Sequence, residues 1–127
     1  MFTQRRGMGS TLASFSNARC QDKYVVPKVT ERKLLEVTPQ PLDLLKLDVE
    51  GAELIFLEHY ARVARQARCL LIEWHSWAPE WTGLEGLDEI CRNLDFRRVT
   101  TLGEDARHVV NNTPFTCGTV LYQSLHA

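Results

Sequence analysis

Two short apolar runs constrain this chain most: "LDLLKLDV" at residues 42–49 and "CLLIEW" at residues 69–74. In the first, Leu42, Leu44, Leu45, Leu47 and Val49 place apolar groups on both faces, as a parallel strand covered on both sides does. Gly51 breaks the run. From Ala52 a helix is expected, because Leu54, Leu57, Ala61 and Ala64 recur at spacings of three and four, with Phe56, Tyr60 and Val63 widening the stripe. Arg62, Arg65 and Arg68 near its end suit the negative pole of the helix dipole. A buried strand, a helix and a second buried strand in succession call for a crossover and parallel pairing.

The pattern continues to the carboxyl end. Thr82 with Glu85 three residues later forms an expected capping box, and Leu84, Leu87, Ile90, Cys91 and Leu94 then share one helical face. "FRRVTTL" is an expected third strand stopped by Gly103, "GEDARHVVNNTP" a connection, and "FTCGTVLYQS" a fourth strand with Gly118 at a bulge. That last connection is too short for a helix, so the final strand is expected to enter antiparallel. Upstream, "KYVVPKVT" reads as a short strand interrupted by Pro27, and "ERKLLEV" as a helical turn ending before Pro39 and Pro41. Residues 1–22 show no periodicity and are expected to be irregular, leaving 23–127 as the folded portion.

With 127 residues the chain fits one domain or part of a larger one. Its 44% hydrophobic and 24% charged residues suit a globular protein. No apolar run approaches ~18 residues, and no apolar core follows Arg5 and Arg6, so neither a membrane span nor a secretory signal is expected. The expectation is a cytoplasmic protein. A net charge of −1 argues against a general nucleic-acid binder. Cys20, Cys69, Cys91 and Cys117 include no C-x-x-C pair and are expected to be reduced thiols. Asn111, Asn112 and Thr113 read as a turn.

Both core strands release acidic residues at their carboxyl ends, where open parallel sheets bind ligands. Asp48 and Glu50 follow the first strand, and Glu73 and His75 the second. Within each pair the i, i+2 spacing puts both side chains on one side. Four such groups in one crevice suit a proton acceptor or a cation partner. Solvated strand ends and helix starts also favour carboxylates, and Glu53 is accounted for by the first helical turn alone. Trp74, Trp77 and Trp81 either wall a substrate pocket or pin their loop to the core. The local spacing matches no specific metal motif, so no metal is expected.

The stretch "DLLKLDVEGAELIFLEHYARV", followed by "LLIEWHS", resembles the FkbM-type methyltransferases. The matching positions are Lys46, Asp48, Val49, Glu50, Gly51, Ala52 and Glu53, then Glu73. "VPKVTERKLLEV" is similar to the segment that precedes this motif in the family, and "GMGSTLASF" more distantly to a small-residue stretch upstream. The resemblance implies the S-adenosylmethionine-dependent fold, an α/β Rossmann-like class I sheet ordered 3-2-1-4-5-7-6 with its last strand antiparallel. Residues 42–127 would supply strands four to seven, the carboxyl-terminal half. The family's glycine-rich first half is not matched: "GMGSTL" offers Gly7 and Gly9 but lacks a preceding strand. The expectation is therefore a fragment or partial domain, inactive alone, with strand 42–49 left as an unpaired edge prone to self-association.

The resemblance implies methyl transfer from S-adenosylmethionine to a hydroxyl of a small molecule or sugar. Asp48 would polarise or position the acceptor, Glu50 second to it, His75 would serve as the base, and Glu73 would shape the cofactor side. One competitor is a non-catalytic half-domain acting as an interaction module through its open edge. Another is a metal-dependent hydrolase using Asp48, Glu50, Glu73 and His75, the weakest of the three given the resemblance.

Overall fold

The computed structural model describes residues 2–5, 8–12, 23–24, 27–104, 108–110 and 112–127. In chain order the elements are β1 (Phe2–Arg5), β2 (Met8–Leu12), β3 (Lys23–Tyr24), α1 (Glu31–Val37), β4 (Leu42–Leu47), α2 (Glu53–His59), α3 (Ala61–Ala64), β5 (Ala67–His75), α4 (Leu84–Asn93), β6 (Phe96–Glu104), β7 (His108–Val110), β8 (Thr113–Phe115) and β9 (Cys117–Ser124). The amino-terminal stretch expected to be irregular contributes β1 and β2, which join β3 in an antiparallel sheet ordered β2-β1-β3. Gly9 thus lies inside a strand, whereas Gly7 and Cys20 lie outside the described residues.

The main sheet has four strands in the order β4-β5-β9-β6. β4 and β5 pair in parallel, with Leu45 opposite Leu70 and Leu47 opposite Ile72. β9 runs antiparallel to both its neighbours, as expected of the final strand. Two of the three pairings are therefore antiparallel, which corrects the largely parallel sheet that strand and helix alternation suggests. The cause is that β9 inserts between β5 and β6 and separates two strands that point the same way.

One face of this sheet is packed and the other is half open. Leu47, Leu70, Ile72, Trp74, Phe96, Val120 and Tyr122 meet Leu54, Leu57, Leu87, Cys91 and Leu94 from the helices in one core. Burying each such side chain is worth roughly 1.5–3 kcal/mol, which makes this layer the main source of stability. On the opposite face Leu44 is 49% exposed, while Cys69, Leu71 and Leu121 are only half-buried. Burial of β4 and β5 on both faces is thus not found among the described residues. β4 pairs with β5 alone, so it forms an edge of the sheet there. No helix among the described residues is long and apolar enough to cross a membrane.

Several local expectations change. The single helix from Ala52 is two short ones, because Tyr60 leaves helical geometry at φ −123 and ψ 36. Arg68 lies in β5 and pairs with Asp43. The capping box at Thr82 does not form; Gly83 is the cap of α4, with no side-chain hydrogen bond. β6 runs through Gly103 to Glu104, and the bulges fall on β6 and not at Gly118. A β7–β8 hairpin occupies the connection, turning at Asn112 with φ 61. α1 matches its expected span, and Thr30 caps it by accepting from the Lys33 amide at 3.2 Å.

Candidate functional site

The carboxyl ends of β4 and β5 lie side by side, since these strands pair in parallel up to Leu47 and Ile72. β4 stops at Leu47, so Asp48 begins the turn that leads into α2. That turn is tight: the Ala52 amide donates to the Val49 carbonyl at 3.3 Å. Both central residues have positive φ, 53° at Glu50 and 97° at Gly51. Gly51 adopts this conformation without penalty, whereas Glu50 pays roughly 1–2 kcal/mol for it. The turn keeps the Glu50 carboxylate at the site, with Oε2 3.8 Å from His75 Nε2.

His75 is the last residue of β5 and is 97% buried, its side chain only 3% exposed. Its Nδ1 lies 2.9 Å from Oε1 of Glu53, which is 2% exposed. The same oxygen accepts from the backbone amides of Val49 at 3.2 Å and Gly51 at 3.1 Å. An oxygen that accepts from two backbone amides carries no proton to donate, so Nδ1 is the donating nitrogen of His75. Nε2 is then the nitrogen that faces Glu73, 4.0 Å from its Oε1. Asp48, Glu73 and His75 each place one ligand-type atom so that all lie within 4.8 Å of one another. Lys46 Nζ contacts Asp48 Oδ2 at 3.1 Å.

Trp77 covers the imidazole, with ring centroids 4.5 Å apart. Its indole N–H donates to the Glu50 carbonyl at 3.3 Å, and its ring meets Phe115 edge-on at 5.6 Å. Trp74 and Trp81 instead stack on each other at 4.8 Å, with Trp74 buried in the core. The two alternatives for the tryptophans are thus divided between them: one lies at the site and two pin the loop.

The electrostatics follow from this crowding. Burial lowers the His75 pKa, but the Glu53 hydrogen bond and the charges of Glu53, Glu50 and Glu73 outweigh it, leaving the pKa above the ordinary histidine value. Glu50 is raised above the ordinary carboxylate value, first by burial and then by repulsion from Asp48, Glu73 and Glu53, with His75 opposing.

All four sequence candidates, Asp48, Glu50, Glu73 and His75, therefore come together. Glu53 is the residue that linear reasoning missed. A carboxylate in the first helical turn has a sufficient local explanation, and only the fold brings it against His75. Its one sequence signal is its place in the run "DVEGAE".

S-adenosylmethionine carries a cationic sulfonium and an ammonium group. The clustered carboxylates suit that cationic end chemically; a glycine-rich cradle for its nucleoside is not found among the described residues. A family model of the methyltransferase FkbM domain matches residues 7–99. No curated protein matches the chain, and no solved structure does.

Proposed function

Because the chain belongs to the FkbM methyltransferase domain family, we propose that it serves S-adenosylmethionine-dependent O-methylation of a small-molecule or sugar hydroxyl. The carrying observation is the meeting of Asp48, Glu50, Glu73 and His75 beside the carboxyl ends of β4 and β5. The strand order β4-β5-β9-β6, with β9 reversed, supports taking the chain as the carboxyl-terminal portion of a class I methyltransferase sheet.

When bound, S-adenosylmethionine supplies an electrophilic methyl group on a sulfonium. The chain's own residues hold the acceptor in line and manage its proton. Asp48, exposed at the rim, accepts a hydrogen bond from the acceptor hydroxyl and orients its oxygen, and Glu50 assists from the turn. His75 Nε2 takes the proton as the new oxygen–carbon bond forms. Glu53 acts through His75: it holds Nδ1–H and so keeps Nε2 turned toward Glu50 and Glu73. Glu73 lines the cofactor side, and Trp77 screens the imidazole from water.

The test is methyl transfer from labelled S-adenosylmethionine to a panel of sugar and small-molecule hydroxyls, using the full natural protein. Asp48→Asn and His75→Ala are each expected to lower turnover at least ~100-fold, within the range for losing a positioned acid–base group. Unchanged turnover in both variants defeats the assignment.

A further inference from the structure

We infer that Asp48, Glu73 and His75 form a binding site for one divalent metal ion, with Glu53 as the residue that orients the histidine ligand. The ligand set is two carboxylates and one imidazole, drawn from the two adjoining strand ends and brought within 4.8 Å of one another. An ion with bonds of ~2.1 Å needs its neighbouring ligand atoms ~3–3.4 Å apart. Closing the widest gap of 4.8 Å to that span takes about 1.4–1.8 Å, within reach of side-chain rotation in exposed Asp48 and half-exposed Glu73.

The anchoring of the imidazole from its other side is a second observation. The His75 side chain is only 3% exposed, and its Nε2 faces the carboxylates of Glu50 at 3.8 Å and Glu73 at 4.0 Å. Its other nitrogen is fixed by Glu53, and Glu53 in turn by two backbone amides. A histidine whose far nitrogen donates to a carboxylate is the usual support for a metal-ligating imidazole, since it sets the tautomer and the ring direction. A nitrogen held this way and facing two carboxylates supplies the imidazole member of a mixed oxygen and nitrogen ligand set.

The chemistry also selects the class of ion. Oxygen and imidazole donors without thiolate suit Mn²⁺, Zn²⁺, Co²⁺ or Fe²⁺. Three protein ligands leave positions open for water or a substrate oxygen, as in catalytic and unlike structural sites. Lys46, now 3.1 Å from Asp48, is more than half exposed and swings into solvent as the ion takes its place. The ion and a proton compete for Nε2. Coordination at Nε2 would use the lone pair assigned above to proton acceptance, so with an ion bound the acceptor's proton would pass to the Glu50 carboxylate, 3.8 Å from that nitrogen.

The ion site is separable from the methyl-transfer reading, because metal binding is measured with no cofactor or acceptor present. Mn²⁺ is the probe, since it favours oxygen and nitrogen donors over the chain's cysteines. Titration of the metal-free protein, followed by calorimetry and by loss of the free Mn²⁺ paramagnetic signal, is expected to give one site per chain. Asp48→Asn and Glu73→Gln are each expected to weaken binding at least ~10-fold, and Glu53→Gln by ~10–100-fold through the loosened imidazole. Glu58→Gln, on the exposed side of α2, is expected to leave it unchanged. Asp48 sits at the surface, so its variant keeps the metal-free melting temperature and reports binding alone. No saturable binding up to millimolar Mn²⁺, or binding indifferent to Asp48→Asn and Glu73→Gln, overturns the proposal. Methyl transfer that persists in chelator without Mn²⁺ binding overturns the ion site and leaves the methyltransferase reading intact. Mn²⁺ binding without methyl transfer does the reverse.

Discussion

Glu53 shows how much one buried residue decides. Its Oε1 is the shared acceptor for His75 and two backbone amides, all in a site from which water is largely excluded. Glu53→Ala removes that acceptor and leaves three donors without one. The expected loss is about 3–5 kcal/mol, as for breaking a buried ion pair from one side. Glu53→Gln keeps a carbonyl oxygen for the amides and is expected to cost markedly less. Urea denaturation of both variants measures the difference; equal stabilities would show that the three contacts contribute little. The residue was hidden in the sequence because its partner lies 22 positions away, across two short helices and a strand. Asp48, Glu50, Glu73 and His75 were visible, because strand-end position alone marks such groups.

At the scale of elements, β9 explains the sheet. It pairs with β5 along Cys117–Gln123 and with β6 along its other edge, so a flaw in β9 disturbs both. Gly118 is where it passes closest to its neighbours. A Cβ there would stand 2.7 Å from the Gly103 carbonyl oxygen and 2.8 Å from Trp74 Cζ2. A backbone carbonyl and a stacked indole have little room to move. Gly118→Ala is therefore expected to destabilise by ~1–3 kcal/mol, the range for overpacking, in thermal or chemical melts. A neutral effect would mean that the strand slides to admit the methyl group. The sequence suggested a bulge at this glycine, since bulges and close approaches leave the same local mark. Only pairing with Trp74 and Glu104 distinguishes them. The failed capping box at Thr82 has a similar origin. The S/T-x-x-E spacing is present, but the chain enters α4 through Gly83 at φ 94, one residue late.

For the whole molecule, the asymmetry of the sheet matters most. Helices cover the face of Leu70, Ile72 and Val120, each 0% exposed, while Leu44 on the other face is 49% exposed. β4 also offers an edge that pairs with nothing among the described residues. An apolar edge of this kind invites strand addition, and a second copy carries the same edge. Concentration-dependent self-association through residues 42–49 is thus expected in sedimentation velocity. Leu44→Lys, which charges the edge without touching the core, is expected to shift the protein toward monomer. Association that this variant leaves unchanged places the contact elsewhere.

The sequence by itself determined α1, β4, α4 and the cores of β5, β6 and β9, the family, and the acidic character of two strand ends, but not the β7–β8 hairpin or the break between α2 and α3. These are properties of local spacing: two-residue and 3.6-residue periods, and turn residues at their ends. Tertiary structure alone decided that one sheet face is packed and the other half open, and that Glu53 grips His75. Each is a contact between residues far apart in the chain. Local spacing determines how a segment folds but not which segment lies beside it.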